Sequence, residues 1–367
     1  MADIDRKFMR QALLEAKKGI GRTSPNPSVG AVVVKNNIIV GKGYHRKAGT
    51  PHAEIHALQE AGPEAEGATL YVTLEPCNHT GRTPPCTEAV LRAGIARVVI
   101  GMLDPNPRVT GGGADYLAAK GLSVSSNILE KECREINLPF IKYVTTGLPW
   151  VMLKAGMSAD GRIAAAPGQP TRITGKESMR RVHNLRNISD AILVGIGTVL
   201  VDNPSLTTRL DRQQGLDPLR VVLDKELRMP ESARMLQQKS TASTWIFCAS
   251  TVDRNKKKKL EAAGAVIRIV PVADDGLLDL KAVLVELGNA KITSLLVEGG
   301  SCVHGSFLKA KLVDQLFLFL APFFLGEQGV PLATFSDMNK SRDISRFKIT
   351  TTRRYGDDLF VDGRFTH

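Results

Sequence analysis

Aromatic side chains are scarce in this sequence. Phe, Trp and Tyr make up 5% of 367 residues, and only two are Trp. Proteins that hold single-stranded nucleic acid stack its bases on aromatic rings, and so few rings do not furnish an aromatic-rich basic face. Cysteine is sparse as well. Cys77, Cys86, Cys133, Cys248 and Cys302 are an odd, scattered set, which argues against a disulfide framework and for a reducing compartment. Long apolar runs are missing. The most apolar stretch, residues 316–325, contains Pro322 and is too short to span a bilayer; it reads as a buried strand. The N-terminal MADIDRKFMRQALLEA is charged and amphipathic, without the apolar core of a signal peptide. These features predict a cytoplasmic protein without a membrane partner. Acidic residues are in the minority, 37 against 49 Lys and Arg, for a net charge of +12. That balance points to anionic partners: nucleic acid, phosphorylated small molecules or a phosphate-bearing cofactor. Composition does not choose among them. The densest basic run, residues 256–259, opens the helical pattern KKKKLEAAG and reads as a solvated helix end.

A chain of this length holds two ordinary domains. Residues 5–19 pattern as an amphipathic helix ended by Gly19. A strand follows in SVGAVVV, with Asn36-Asn37 turning into a second strand. Residues 52–61 read as a helix, ATLYVTLEPC as a strand ending at Cys77, and TPPCTEAVLRAG as a helix starting at Cys86. RVVIGM, GGADYLAAKG and LSVSS continue the alternation of strand and helix, which implies a layered α/β domain. TTGLPW marks a boundary, giving domains 1–146 and 147–367. The second half repeats the alternation in WVMLKAG, AILVG, LRVVLD, TWIFC, AVIRIV and SLLVEGG, so its sheet is expected to be mostly parallel.

One constellation carries chemistry. His52, Cys77 and Cys86 stand in the pattern HAE…PC…PC. One imidazole and two thiolates suit zinc with an open fourth position, as catalysis requires. Helix starts favour the thiolate form. Glu54 is not needed as a ligand; it is placed to take a proton from water at such a metal and pass it to a leaving amine. Zinc-dependent nucleobase deaminases carry H-x-E with P-C-x-x-C. Here eight residues separate the two cysteines, which departs from that spacing. His56, one turn after His52, is a rival ligand or a supporting residue. Cys133, Cys248 and Cys302 lack such neighbours and read as structural.

Taken together, PNPSVGAVVV, GYHRKAGTPHAEIHAL, YVTLEPCNHTGRTPPC and DPNP resemble the bifunctional riboflavin-biosynthesis deaminase–reductase family, in which the thiols have a long Pro-rich spacer. The resemblance covers essentially the whole chain. It implies an N-terminal cytidine-deaminase-like three-layer α/β domain and a C-terminal dihydrofolate-reductase-like domain. It further implies phosphorylated pyrimidine substrates, one zinc ion per deaminase domain, NADPH, and a homo-oligomer, dimer or tetramer. By the same resemblance His52, Cys77 and Cys86 hold zinc, Glu54 moves protons, and Asn26, His45, His79 and Arg82 contact the deaminase substrate. Asp104 and Asn106, in DPNP, either shape that pocket or form a plain turn.

The second half lacks GxGxxG; Gly-containing turns follow its strands at Gly195 and at Glu298-Gly299-Gly300. Such turns can offer backbone N–H groups to phosphate. The resemblance places the cofactor at Gly156, Arg172, Thr198 and Asp202, and along Gly300, Ser301, Cys302, Val303, His304, Gly305 and Ser306. It places substrate at Pro170, Arg186, Leu206, Arg209 and Glu298, with Arg186 and Arg209 clamping a 5′-phosphate. Pro170 and Arg172 depart from relatives that carry Ser and Trp there. Lys154, Ser158 and Asp160 fall on the first strand and turn, where Asp160-Gly161 reads as turn chemistry. Two other readings compete: a nucleic-acid deaminase of the tRNA type with an accessory domain, and a zinc-stabilised scaffold without activity. The expectation of no nucleic-acid partner rests on the few aromatics, and Glu54 speaks against a scaffold.

Overall fold

The computed structural model describes residues 2–79, 84–107, 112–211, 215–335 and 346–366. The chain divides into two compact units, Met1–Gly147 and Leu148–His367.

In the first unit, helix α1 (Ala2–Lys17) leads to strands β1 (Gly30–Lys35) and β2 (Ile38–Tyr44), then α2 (Ala53–Ala61), β3 (Thr69–Leu74), α3 (Cys86–Arg92), β4 (Arg97–Met102), α4 (Gly113–Ala119), β5 (Ser123–Ser125), α5 (Glu130–Glu135) and α6 (Leu138–Thr146). One sheet takes the order β2-β1-β3-β4-β5. β1 lies antiparallel to β2 and β3, whereas β3, β4 and β5 are parallel. Asn36 and Asn37 turn the hairpin with φ of 51° and 63°, the left-handed pair that a tight hairpin between twisted strands requires.

Glycines set the layers. A Cβ on Gly30 would lie 2.1 Å from the Ala12 carbonyl oxygen of α1, and one on Gly43 would lie 2.2 Å from the Ala53 carbonyl oxygen of α2. Gly30 pairs with Tyr44, and Gly43 with Ala31, so the two glycines face opposite sides of the pleat. α1 and α2 therefore cover opposite faces of the sheet, which makes three layers.

The second unit comprises β6 (Trp150–Ser158), β7 (Arg162–Ala164), α7 (Lys176–Ile188), β8 (Ala191–Gly195), α8 (Ile196–Asp202), β9 (Leu219–Leu223), α9 (Arg234–Gln237), β10 (Thr244–Cys248), α10 (Arg254–Ala262), β11 (Ala265–Ile269), α11 (Leu280–Asn289), β12 (Ser294–Val297), α12 (Ser301–Lys309), β13 (Gln315–Ala321), β14 (Val330–Pro331), β15 (Phe347–Tyr355) and β16 (Asp358–Phe365). Its sheet runs β11-β10-β9-β8-β12-β6-β13-β16-β15, with β14-β7 as a separate pair. All pairings from β11 to β13 are parallel; β16 and β15 add an antiparallel edge. Along β8, Ala191 and Leu193 join one core cluster, and Ile192 and Val194 another. Alternate residues thus feed cores on both faces, and the strand needs an unbroken apolar run.

The apolar run at residues 316–325 behaves differently from its expectation. β13 ends at Ala321, and Phe324 is 78% exposed. Pro322 cannot donate to the ladder, so the chain leaves the sheet there. The lysine run lies in α10, whose start is capped by the Asp253 carboxylate accepting from the Lys256 N–H (2.7 Å). Among the described residues, no helix is long and apolar enough to cross a membrane.

Candidate functional site

In the first unit three groups converge. His52 caps the start of α2, Cys86 is the first residue of α3, and Cys77 lies just past the end of β3. Nδ1 of His52 is 3.2 Å from Cys86 Sγ and 3.5 Å from Cys77 Sγ. Their ligand atoms all lie within 4.8 Å of one another. The loop that brings the thiols together is tied down by the Thr87 hydroxyl donating to Asn78 Oδ1 (2.9 Å) and the Cys86 N–H donating to Cys77 Sγ (3.4 Å). A hydrogen bond from Cys86 holds the Cys77 thiol down to about 4, aided by His52. The same bond, with burial and Glu54, pushes Cys86 up. Two thiols sharing one proton beside an imidazole form a borderline-soft N,S,S set that fits zinc and leaves one position open. His56 stays outside this group.

Glu54 sits in the first turn of α2 and is 3% exposed. Burial raises its carboxyl above the ordinary carboxylate range, partly offset by the charge of His52. His45, at the end of β2, is also buried. Its Nδ1 donates to the Pro51 carbonyl (3.2 Å), so Nε2 accepts from Asn26 Nδ2 (3.1 Å). The His45 ring meets that of His52 edge-on at 5.3 Å. Asn26, His45 and the metal group are thus one contiguous patch. Asp104 is drawn in as well: burial raises its carboxyl, Glu75 and Cys77 raise it further, and the charge of exposed His79 lowers it. The Asn106 N–H donates to Asp104 Oδ1 (2.9 Å), a turn of the kind DPNP suggests. Arg82 lies outside the described residues.

Sequence reasoning passed over Glu75. Its carboxylate accepts from the Asp104 N–H (3.0 Å) and the Ala114 N–H (2.9 Å), tying the loop after β4 to the start of α4. The signal available was a carboxylate placed directly before the Pro-Cys turn.

The second unit holds a cleft of about 390 Å3 at the carboxyl ends of β8 and β12, where parallel sheets bind ligands. Gly156, Arg172, Arg186, Thr198, Asp202, Leu206, Glu298, Gly300 and His304 all line it. A Cβ at Gly156 would lie 2.8 Å from Thr174 Cγ2, so a larger residue there requires the Thr174 side chain to shift.

The residues expected at a ligand in this unit lie partly in the cleft wall and partly outside it. Arg186 is paired within the cleft wall. It is buried, donating from Nε and Nη2 to the two Glu298 oxygens (2.8 and 2.9 Å) and from Nη1 to the Thr207 carbonyl (3.2 Å). Arg209 is exposed and does not line the cleft. Both cations do bear on His183, which burial and their charges push down to about 4. Pro170 is exposed and outside the lining, while Thr171 and Arg172 are part of it. Of residues 300–306 only Gly300 and His304 line the cleft. Ser301 bonds Thr334 (2.6 Å), and Val303 fills the space beside Gly195 and Gly299. Gly305 packs on the Thr334 carbonyl, Ser306 donates back to the Cys302 carbonyl (2.9 Å), and Cys302 is exposed. These residues seat α12. Asp160 accepts from Ser158 and from the Leu325 and Gly326 N–H groups (2.5, 3.2 and 2.8 Å) and serves the turn.

Lys154 was legible as strand and not as site. Its Nζ lies 3.8 Å from Glu298 in the cleft wall. Burial lowers its pKa, partly countered by Glu298. Burial would raise Glu298, but Arg186 and Lys154 pull it down to about 2. A lysine inside the apolar run WVMLKAG was the signal, since buried charge is costly unless paired.

Comparison with known proteins decides the family. Residues 2–102 match the cytidine and deoxycytidylate deaminase zinc-binding region, and residues 149–361 match the RibD C-terminal domain. The riboflavin biosynthesis protein RibD of Escherichia coli (strain K12) is 42% identical over 97% of this chain and 98% of its own length. The chain belongs to the RibD family. RibD of Aquifex aeolicus (strain VF5) is 44% identical over 89% of both chains. Two solved structures superpose on the whole chain: Acinetobacter baumannii RibD, with a TM-score of 0.90, 35% identity and 100% of both chains covered, and the Thermotoga maritima deaminase/reductase, with 0.86, 36%, and 100% of this chain against 99% of that one. This RibD chain is accordingly a deaminase–reductase of riboflavin biosynthesis, with a zinc-binding deaminase domain followed by a reductase domain.

Proposed function

We propose that the protein performs two consecutive steps on phosphorylated pyrimidines. The first is hydrolytic deamination of 2,5-diamino-6-(5-phosphoribosylamino)pyrimidin-4(3H)-one. The second is NADPH-dependent reduction of the ribosyl group, giving 5-amino-6-(5-phosphoribitylamino)uracil. The observation that carries the reading is the convergence of His52, Cys77 and Cys86 with a buried Glu54 beside them.

His52, Cys77 and Cys86 would hold zinc, which when bound supplies a Lewis acid that acidifies water near neutral pH. The Glu54 carboxylate takes a proton from the attacking water and delivers it to the departing amine, so that water is consumed and ammonia released. Its burial keeps the carboxyl basic enough for both tasks. The Asn26–His45 pair presents a fixed hydrogen-bonding edge beside the metal group for the pyrimidine. In the second domain NADPH, when bound, supplies the hydride. Arg186 and Lys154 exceed Glu298 by one positive charge, which favours a phosphorylated ligand in that cleft. The domain boundary is placed at residues 146–147. Free thiols at all five cysteines suit a cytoplasmic setting. A homo-oligomer is supported by β15, an edge strand largely exposed along its length.

Product mass tests the reading. Purified protein with the diaminopyrimidinone should exchange amine for oxygen without NADPH and gain two hydrogens with it. A folded, zinc-loaded sample that changes neither mass would turn attention to nucleic-acid substrates.

A further inference from the structure

Helix α7 carries Arg186 and Asn187 three and four residues after His183, on one face of the helix. All three bond the chain between residues 207 and 216. His183 is 7% exposed, and its Nδ1 accepts from the Arg209 N–H (3.2 Å). Arg186 donates to the Thr207 carbonyl (3.2 Å), and Asn187 Oδ1 accepts from the Leu216 N–H (3.0 Å). An amide N–H only donates, so Nδ1 of His183 is the bare nitrogen of a neutral ring. Burial and the charges of Arg186 and Arg209 push the ring down to about 4, which keeps Nδ1 an acceptor at neutral pH. His183 is not part of the cleft lining, so it can act there only through the segment it holds.

That segment is strained. Leu206, in the cleft wall, has a φ of 51°. A bulky side chain avoids this left-handed conformation, which persists only where the surroundings impose it. Immediately after it the chain is anchored on α7 twice, at Thr207 by Arg186 and at Arg209 by His183. Thr208, between the anchors, donates to Asp217 from its N–H (2.7 Å) and to the Leu216 carbonyl from its hydroxyl (2.7 Å).

We infer that His183 is a positioning residue of the reductase: as acceptor of the Arg209 N–H it fixes residues 206–209 in the shape that receives the pyrimidine. The inference rests on the reductase reading and on the resemblance that places Leu206 and Arg209 at that ligand.

Three replacements test it. His183→Ala removes the acceptor. His183→Asn returns an amide oxygen near the Nδ1 position, and His183→Gln carries its amide toward the Nε2 end instead. All are made in the full-length protein, with thermal unfolding recorded alongside. At saturating NADPH, His183→Ala should raise KM for the deaminated pyrimidine about tenfold, with kcat and the NADPH dissociation constant within about threefold of wild type. His183→Asn should bring KM back to within about threefold of wild type. If His183→Ala does not fold, His183→Gln takes its place with the same rise expected. A chain with both His183→Ala and Arg209→Ala should have a KM within about threefold of Arg209→Ala alone, because one residue acts through the other. Unchanged KM, equal rises in the alanine and asparagine variants, or a loss confined to kcat or to NADPH binding would each overturn the inference while wild-type reduction stands. A wild-type chain without NADPH-dependent reduction overturns the reductase reading and the inference with it.

Discussion

In the proposed mechanism Glu54 moves protons while His52, Cys77 and Cys86 hold the metal, with His52 two residues before Glu54 at the start of α2. Glu54→Gln keeps the volume of the buried side chain and removes its basicity. Zinc content should be unchanged while deamination falls by at least about 100-fold; persistence of deamination would reassign the proton carrier. Cys86→Ser should lower zinc affinity by more than about 100-fold, measured by metal analysis after dialysis. Buried titratable groups in the second unit set its response to acid. His304 titrates at about 4 in the fold against an ordinary 6.5. As pH falls through 6.5 the unfolded chain takes up a proton that the folded ring refuses, so stability declines down to pH 4. Glu298 works lower. Its carboxyl is held at about 2 against 4.5, so the stability it lends is present above 4.5 and lost as pH falls toward 2. Urea unfolding at pH 7 and pH 5 should show a loss to which His304 contributes about 2 kcal/mol. His304→Gln should shrink that pH difference by about the same amount.

Among the elements, α2 shows how much was legible and where legibility stopped. The apolar spacing after HAE marked residues 52–61 as a helix, and the structure has Ala53–Ala61. What aims His52 at the thiols is the contact of α2 with β2, and that contact depends on Gly43, which is unremarkable in the sequence. Gly43→Ala would drive a Cβ to 2.2 Å from the Ala53 carbonyl oxygen. Overpacking of this kind should cost about 3 kcal/mol. Zinc affinity should fall with it, because the displaced backbone carries His52; a lowered unfolding temperature together with full zinc occupancy would separate the helix contact from the metal site. α12 teaches the converse. Its start reads as a run of cofactor contacts, and in the fold Ser301, Val303 and Gly305 also hold the helix against its neighbours. A glycine-rich turn looks the same in sequence whether its residues face a ligand or a strand.

On the scale of the whole molecule, each unit carries its own core and its own candidate site. The two reactions should therefore be separable by mutation. A Glu54→Gln chain retains reduction, and an Arg209→Ala chain, lacking the exposed cation that the family resemblance places at the 5′-phosphate, retains deamination with reduction lowered about tenfold. Mixed in solution, the two should form the final product at rates well above either alone, through released intermediate. A mixture no better than its parts would show that the intermediate does not pass between molecules.

The residues by themselves determined the alternation of strand and helix, the two domains and the N,S,S donor set with its carboxylate, because apolar period and ligand chemistry are local properties of the chain. Only the tertiary structure decided that Arg186 is bound to Glu298, that Lys154 enters the cleft, and that Nε2 of His304 has no partner among the described residues. Those facts depend on side chains far apart in sequence meeting out of water, where pairing governs charge, and no local pattern records such meetings.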